Sequence, residues 1–401
     1  HNLKQTGNEE VDRIEVDFQA TLGTALVSLV GYSASEAETA YERAHELLKN
    51  VDAPELIGPV VSGLLVTSYN IGRFTRCLTL AEELLEHAKV SNNAETLCVA
   101  YRALGFSNTT LGNFKDGLQP LEKSISNYDA ELHRNSHHYM PHHIGVGTLS
   151  HLSYTLWQAG RVHESQIAKD EAFSLAESID HPNSSFFSWI FDGTIGGLMR
   201  NDIELVIDAA RKLVEIGKQN DHPQSAATGQ CFSAVELMEE NKIAEADSTL
   251  RDGRRALLKA NNNWQVPIYD LIAGDIRLRD GDPLRAVGCF TAGLDASEYT
   301  GERWFNAELY RKRAEAKLMR DSQDELSAVE DLQTAIKLAS QQGSQMFKLR
   351  ALVTMSSAPS KTLESVGIQR EELGRQIGAL CAEVNAPEDD PELVRTRIAM
   401  S

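Results

Sequence analysis

The chain has 401 residues, of which 42% are hydrophobic, and 39 Lys plus Arg against 58 Asp plus Glu leave a formal charge of −19. That composition supplies enough apolar surface for a core and excludes general disorder, while the acidic excess speaks against a nucleic-acid backbone as partner, because phosphate binding needs concentrated Lys and Arg. With 27 Gly and 11 Pro spread thinly and no linker-like stretch, the length reads as one continuous architecture.

The polar start His1-Asn2-Leu3-Lys4 is no signal peptide, and with a first residue other than Met the expectation is a fragment whose own targeting signals are missing. From there turn residues recur at Gly31, Gly72, Gly112, Gly160, Asn201, Asn241, Gly281 and Asp321, in steps of 41, 40, 48, 41, 40, 40 and 40. Gly and Asn enter the left-handed backbone region cheaply, so each of these positions can end one helix and turn into the next. A period of this length then holds two helices.

Ala53-Pro54 marks a helix start between the first two turns, and Leu80, Ala81, Leu84, Leu85 and Ala88 lay an apolar stripe along one helical face after the second. The one long step adds about eight residues, placed in the polar stretch Ala130 to His143, which should be a loop. Asp180-His181-Pro182 and Asp221-His222-Pro223 stand 41 apart, each expected to place a capping Asp and an early Pro at a helix start. Strand-like alternation is nearly absent. A pair of such helices cannot bury its stripe alone, so neighbouring pairs stack into an all-α superhelical solenoid with a concave inner face. Residues 1–358 are assigned to the solenoid and 359–401 to a C-terminal helical cap or tail.

Cys77, Cys98, Cys231, Cys289 and Cys381 stand far apart with no C-x-x-C pair, which indicates core residues of a reducing compartment. No apolar run approaches the roughly 20 residues of a membrane span, so a cytoplasmic location is expected. Gly193 to Gly197 lacks the Lys of a phosphate-binding loop, His163-Glu164 lacks the second His of a zinc-protease helix, and no G-x-S-x-G is present. Carboxylate pairs such as Glu82-Glu83, Glu239-Glu240 and Asp389-Asp390 point apart on a helix and read as solubilising charge. Arg251, Arg254 and Arg255, and Arg303, Arg311, Lys312 and Arg313, lie among acids and read as solvated faces. No cofactor is expected, and this region is expected not to be an enzyme.

His133, His137, His138, His142, His143 and His151 fall within 19 residues. Imidazole is a natural zinc or nickel ligand, and His137, His138 and His142 are the metal candidates. An exposed polar connection explains the cluster equally well.

Arg102-Ala-Leu-Gly-Phe-Ser-Asn-Thr-Thr-Leu-Gly112 resembles the first helix of a tetratricopeptide repeat, with Leu104-Gly105 and the closing Gly112 in place. Tyr128-Asp-Ala-Glu-Leu-His133, the run from Gly145 to Gly160 through His151, Tyr154 and Trp157, and Ala176-Glu-Ser-Ile-Asp-His-Pro182 together resemble the long-repeat helical region of bacterial signal-transduction ATPases. Ala307-Glu-Leu-Tyr-Arg311 and Ala335 to Arg350 carry the resemblance to about residue 355. After Pro359 it thins, and Ala386 to Arg395 matches the family's terminal helix only loosely. Such regions are also similar to the sugar-sensing helical domain of the maltose-regulon activator.

The resemblance implies about eight tetratricopeptide-like repeats in a right-handed superhelix, a sensing role, and an ATPase, class III nucleotide cyclase or DNA-binding output domain elsewhere in the same polypeptide. Its register implies that Tyr69, Asn70, Arg102, Phe106, Thr109, Thr110, Ser150, Tyr154, Trp157, Gln158, Phe191, Ile195, Leu198, Met199, Asp275, Arg279, Arg311 and Glu315 face the concave surface. Aromatic residues in the middle of that groove suit a small ligand or a peptide; equally, Phe191, Ile195 and Leu198 could pack as core. The competing expectation is a structural scaffold for self-association, with a homodimer.

Overall fold

The computed structural model describes residues 2–91, 93–133, 142–320, 324–387 and 390–400, and among them every regular element is helical. Eight helix pairs follow one another. They are α1 (Asn2–Val30) with α2 (Ser35–Leu48), α3 (Pro54–Asn70) with α4 (Phe74–Ser91), and α5 (Ala94–Thr110) with α6 (Phe114–Ser126). α7 (Ile144–Gln158) pairs with α8 (Val162–Ile179). α9 (Pro182–Ser188) runs through a π-helical stretch, Trp189–Ile195, into α10 (Gly196–Arg200), and this composite pairs with α11 (Ile203–Gln219). Then come α12 (Pro223–Glu239) with α13 (Ile243–Lys259), α14 (Val266–Arg279) with α15 (Pro283–Thr300), and α16 (Asn306–Leu318) with α17 (Glu325–Gln342). α18 (Gln345–Ser356), α19 (Ser360–Ser365), α20 (Arg370–Glu383) and α21 (Pro391–Met400) end the chain.

The turns that close the first helix of each pair fall where the sequence placed them. Gly31, Gly72, Gly112, Gly160, Asn201, Asn241 and Gly281 all have positive φ, and Asp321 lies outside the described residues. A second series of left-handed residues, Asp180, Asp221, Asn261, Gly301 and Gly343, ends the second helices. This corrects the role given to Asp180 and Asp221. Both end the preceding helix, Asp being one of the few residues that tolerates this conformation. The N-cap positions fall instead to His181 and His222, and His222 Nδ1 accepts the Ser225 backbone N–H at 3.0 Å. Pro182 and Pro223 do open their helices.

The superhelix closes on itself. Asn263 N–H donates to Asn70 O at 2.9 Å, Arg303 N–H to Thr110 O at 2.8 Å, and Asn385 N–H to Gly160 O at 2.8 Å. Asn262 donates to the Asn70 side chain across 192 residues, a little under five repeats, and Ser344 donates to Gln158. The loops that begin each later first helix therefore rest on the closing turns one superhelical turn earlier. Side chains on the inner face meet across this seam, and one buried apolar cluster runs from Tyr41 to Leu393. Leu373, Ile377 and Leu380 of α20 and Leu393 of α21 belong to it, so the C-terminal helices share the core of the repeats.

The step between α6 and α7 is longer than the rest, but residues 134–141 of the inserted stretch, His137 and His138 included, lie outside the described residues. Its flanks are not an exposed connection: His133, His142 and His143 are 0%, 6% and 2% exposed. They sit under aromatic rings, His142 stacked on Phe187 at 3.8 Å and His133 beside Tyr128 at 5.4 Å. Cys77, Cys98 and Cys231 are buried, and Cys289 and Cys381 are partly buried. No helix among the described residues is long and apolar enough to cross a membrane.

Candidate functional site

Two concave regions lie along the inner face, and they are built from opposite chemistry. The first is a cavity of about 570 Å³, counting its open mouth, to which helix pairs one to seven all contribute. Tyr32 and Tyr69 enter from the first two pairs, Arg102 and Phe106 from α5, and His142 and His151 from the start and middle of the fourth pair. Phe186, Phe187, Ile190 and Phe191 come from the fifth, Gln224 from α12, and Trp264 from the loop before α14.

The π-helical stretch of the fifth pair serves both sides of its helix. Within it Phe191 lines the cavity while Asp192, the next residue, accepts the Ser153 hydroxyl at 2.6 Å. Burial pushes the Asp192 carboxyl up to about 6, against the hydrogen bonds of Ser150 and Ser153 and the charge of Arg200.

Inside the cavity the rings pack closely, some stacked and some tilted. His151 stacks on Phe106 with centroids 3.9 Å apart and planes 6° from parallel, and Phe187 lies 4.4 Å from Phe191, which in turn lies 5.1 Å from Trp264. Arg102 sits among them at 2% exposure, its guanidinium carbon 5.9 Å from the centre of the Phe187 ring. Among the described residues no carboxylate pairs with it, and burial pulls its pKa down to about 10, with only Tyr69, Cys98 and Tyr154 opposing. Burial, and then the Arg102 charge, hold His142 and His151 well below the ordinary imidazole value, so both are neutral.

The second region is a wide groove of about 1900 Å³, open to solvent, lined by α10, α11, α12, α14, α16, α18 and α21. Four of its cations face an acid. Arg311 grips Glu308 through two hydrogen bonds of 2.8 and 2.6 Å and reaches Glu315 at 3.1 Å. Lys312 meets Asp275 at 2.9 Å, Arg279 meets Glu239 at 2.5 Å, and Arg350 meets Glu392 of α21 at 2.5 Å. Burial would raise the Glu308 carboxyl, but the charges of Arg311, Arg350 and Lys312 outweigh it and hold it at about 2.

The residues expected on the concave surface therefore divide three ways. Tyr69, Asn70, Arg102, Phe106 and Phe191 line the aromatic cavity, although the Tyr69 hydroxyl is taken by Ser107 at 2.6 Å, and Asn70 is occupied by Gln224 and Asn262. Asp275, Arg279, Arg311 and Glu315 line the charged groove, as does Leu198. Ser150, Tyr154, Trp157 and Gln158 line neither: the seam seals them at 0–2% exposure, with Trp157 edge-on to Phe347 and Gln158 held by Ser344. Thr109, Thr110, Ile195 and Met199 are likewise buried. Among the described residues no three His, Cys, Asp or Glu side chains gather as metal ligands; of the three metal candidates only His142 is described, and it lies against Phe187.

The cavity also recruits residues that the sequence did not single out. Phe187 lies one turn before Phe191, a spacing visible in the sequence once Phe191 is chosen. Trp264 is different, because only the pitch of the superhelix brings it to residues nearly five repeats earlier.

Fold and site together define a tetratricopeptide-like α-solenoid with a filled interior. No family model matches the chain, and no curated protein matches it in sequence. Among solved structures it is similar to a Rap protein complexed with competence and sporulation factor, at a TM-score of 0.57 and 11% identity, covering 92% of this chain and 98% of that one. Human IFIT1 dimers with PPP-AAAA and with m7Gppp-AAAA align more loosely, at TM-scores of 0.46 and 0.49 and identities of 15% and 14%. Those alignments cover 99% and 92% of this chain and 88% and 78% of the human protein.

Proposed function

We propose that the chain is a sensing module that binds a small ligand in its aromatic cavity and relays occupancy through the superhelix to an output domain of the same polypeptide, such as an ATPase, a cyclase or a transcription regulator. The observation that carries this reading is the composition of the cavity wall. Seven successive helix pairs meet around one aromatic space that holds an uncompensated cation. A ligand there would touch several repeats and the seam between turns at once, so its binding energy would bias the pitch of the solenoid, which is what a relay requires. That the similar Rap protein is complexed with competence and sporulation factor supports occupancy of such a superhelix.

The proposed role is one of binding: among the described residues that line the cavity, no carboxylate or thiol joins Arg102, His142 and His151. A thermal-shift screen with sugars, amino acids, nucleotides, carboxylic acids and peptides tests the proposal. A ligand at 100 times its Kd should stabilise the fold by about 2.7 kcal/mol and raise Tm by several degrees. No shift from any class, together with a concentration-independent dimer in light scattering, would turn the reading to a self-associating scaffold.

A further inference from the structure

The groups left unsatisfied around the aromatic cavity share one character. Arg102 Nε, His142 Nε2, both ring nitrogens of His151 and Trp264 Nε1 are buried without a partner among the described residues, and no Asp or Glu is among the described residues that line the space. Guanidinium and indole only donate, and a neutral imidazole donates through one nitrogen. The wall is thus rich in donors and carries one formal positive charge, inside a protein whose net charge is −19. An unpaired buried cation is unfavourable, and a fold that retains one beside an opening is poised for a ligand that brings the missing charge. The polar side chains nearer the mouth do not compete for that role, since Asn70 and Gln224 are bonded to each other at 2.9 Å.

We propose that this cavity binds a monocarboxylate carried on an aromatic or similarly flat apolar body, with the carboxylate on Arg102 and the flat body among Phe106, Phe187, Phe191 and Trp264. The proposal rests on the ligand-sensing role above and names the ligand class. One buried cation calls for one negative charge; a dianionic phosphate would press a second charge against aromatic walls with His142 and His151 both neutral. A carboxylate also matches the planar fork of Arg102 through two parallel hydrogen bonds. The near-parallel rings of His151 on Phe106 and of His142 on Phe187 favour a flat body, which can extend either slab. The same group can come from a free aromatic acid or from the C-terminal residue of a peptide.

The test is calorimetric titration of the whole chain with 3-phenylpropionate, indole-3-acetate and a tripeptide ending in phenylalanine, each beside its primary amide, with inorganic phosphate as the charge control. At least one acid should bind about thirty-fold or more tightly than its amide, since the amide leaves the buried Arg102 charge uncompensated. Free acid against tripeptide separates the two sources. Arg102→Met should abolish the preference for acid over amide while its melting temperature stays at or above that of the parent, and Arg102→Lys should keep part of the preference. Equal binding of acids and amides, phosphate binding as tightly as the acids, or an Arg102→Met protein that keeps the preference would each overturn the proposal while leaving the sensing role standing. If no acid or amide binds, the proposal falls; if the broad screen is silent as well, the sensing role falls with it.

Discussion

The aromatic cavity and the charged groove lie on one inner face and were made by one repeating pattern, yet they treat buried charge in opposite ways. In the groove Arg311, Lys312, Arg350 and Arg279 each face an acid; Arg311 finds Glu308 on its own helix, while the other three pairs pin one helix to another, Arg350 tying α18 to α21 through Glu392. In the cavity Arg102 faces rings and neutral imidazoles. The contrast separates charge that serves architecture from charge held in reserve. A matched pair contributes to the fold only while both members remain, whereas a lone cation weakens the fold until something outside the chain answers it.

The largest effect should come from breaking the matched side. Glu308→Ala leaves Arg311 with only the more exposed Glu315 and takes one acid from Arg350, so it should destabilise by about 3–5 kcal/mol in urea unfolding. A loss under about 1 kcal/mol would show that the groove's charges are as solvated as surface pairs.

The same contrast predicts an unusual pH profile. Burial pushes the Glu302 carboxyl up to about 8, although Trp304 Nε1 and the Gln265 N–H donate to it at 2.8 and 2.9 Å. Its contribution is full below the ordinary carboxylate value and is lost as pH rises toward 8; Asp192, at about 6, adds a smaller loss of the same sign. Glu308, held at about 2, contributes above the ordinary value and loses its share as pH falls toward 2. Stability should therefore peak near pH 4 and decline by several kcal/mol, on the order of 5, by pH 8. Glu302→Gln should remove most of that decline when unfolding is measured at pH 4 and pH 8.

The lone cation gives a smaller effect with an unexpected sign. Arg102→Met should stabilise the unliganded protein by about 1–2 kcal/mol, because it replaces an uncompensated buried charge with an apolar chain of similar length. A loss of stability would assign Arg102 to the architecture and erase the distinction between the two regions.

Much of this arrangement is written locally and some of it is not. The closing turns were legible because a left-handed turn needs Gly or Asn, and Gly72, Asn201 and Gly281 announce themselves one at a time. Arg102, Phe106 and Asp275 could be assigned to the inner face because repeat register is a property of a single helix pair. What register does not contain is the pitch. That Tyr154, Trp157 and Gln158 are sealed against Trp304, Phe347 and Ser344 depends on the angle accumulated over nearly five repeats, which no single repeat displays. The π-helical stretch itself, Trp189 to Ile195, has no local signature in its sequence.

Pitch can be tested where it touches the turns, which gives the smallest of the expected effects. Gly112 and Gly281 occupy equivalent closing turns with φ of 86° and 73°, so backbone conformation alone makes them interchangeable. Asn satisfies that conformation, as Asn201 and Asn241 do with φ of 54° and 60°. Gly281 has nothing within 4 Å of where a Cβ would stand, so Gly281→Asn should change stability by less than about 0.5 kcal/mol. A Cβ on Gly112 would come within 2.5 Å of Gln342 Nε2 and 3.3 Å of Arg303, displacing the amide that donates to Arg303 O at 3.0 Å. Gly112→Asn should therefore cost about 1–2 kcal/mol, the amount of an overpacked contact and a lost hydrogen bond. If the two substitutions prove equal in thermal denaturation, the turns of the superhelix do not press on one another at Gly112. The seam would then not be what seals the aromatic side of the interior.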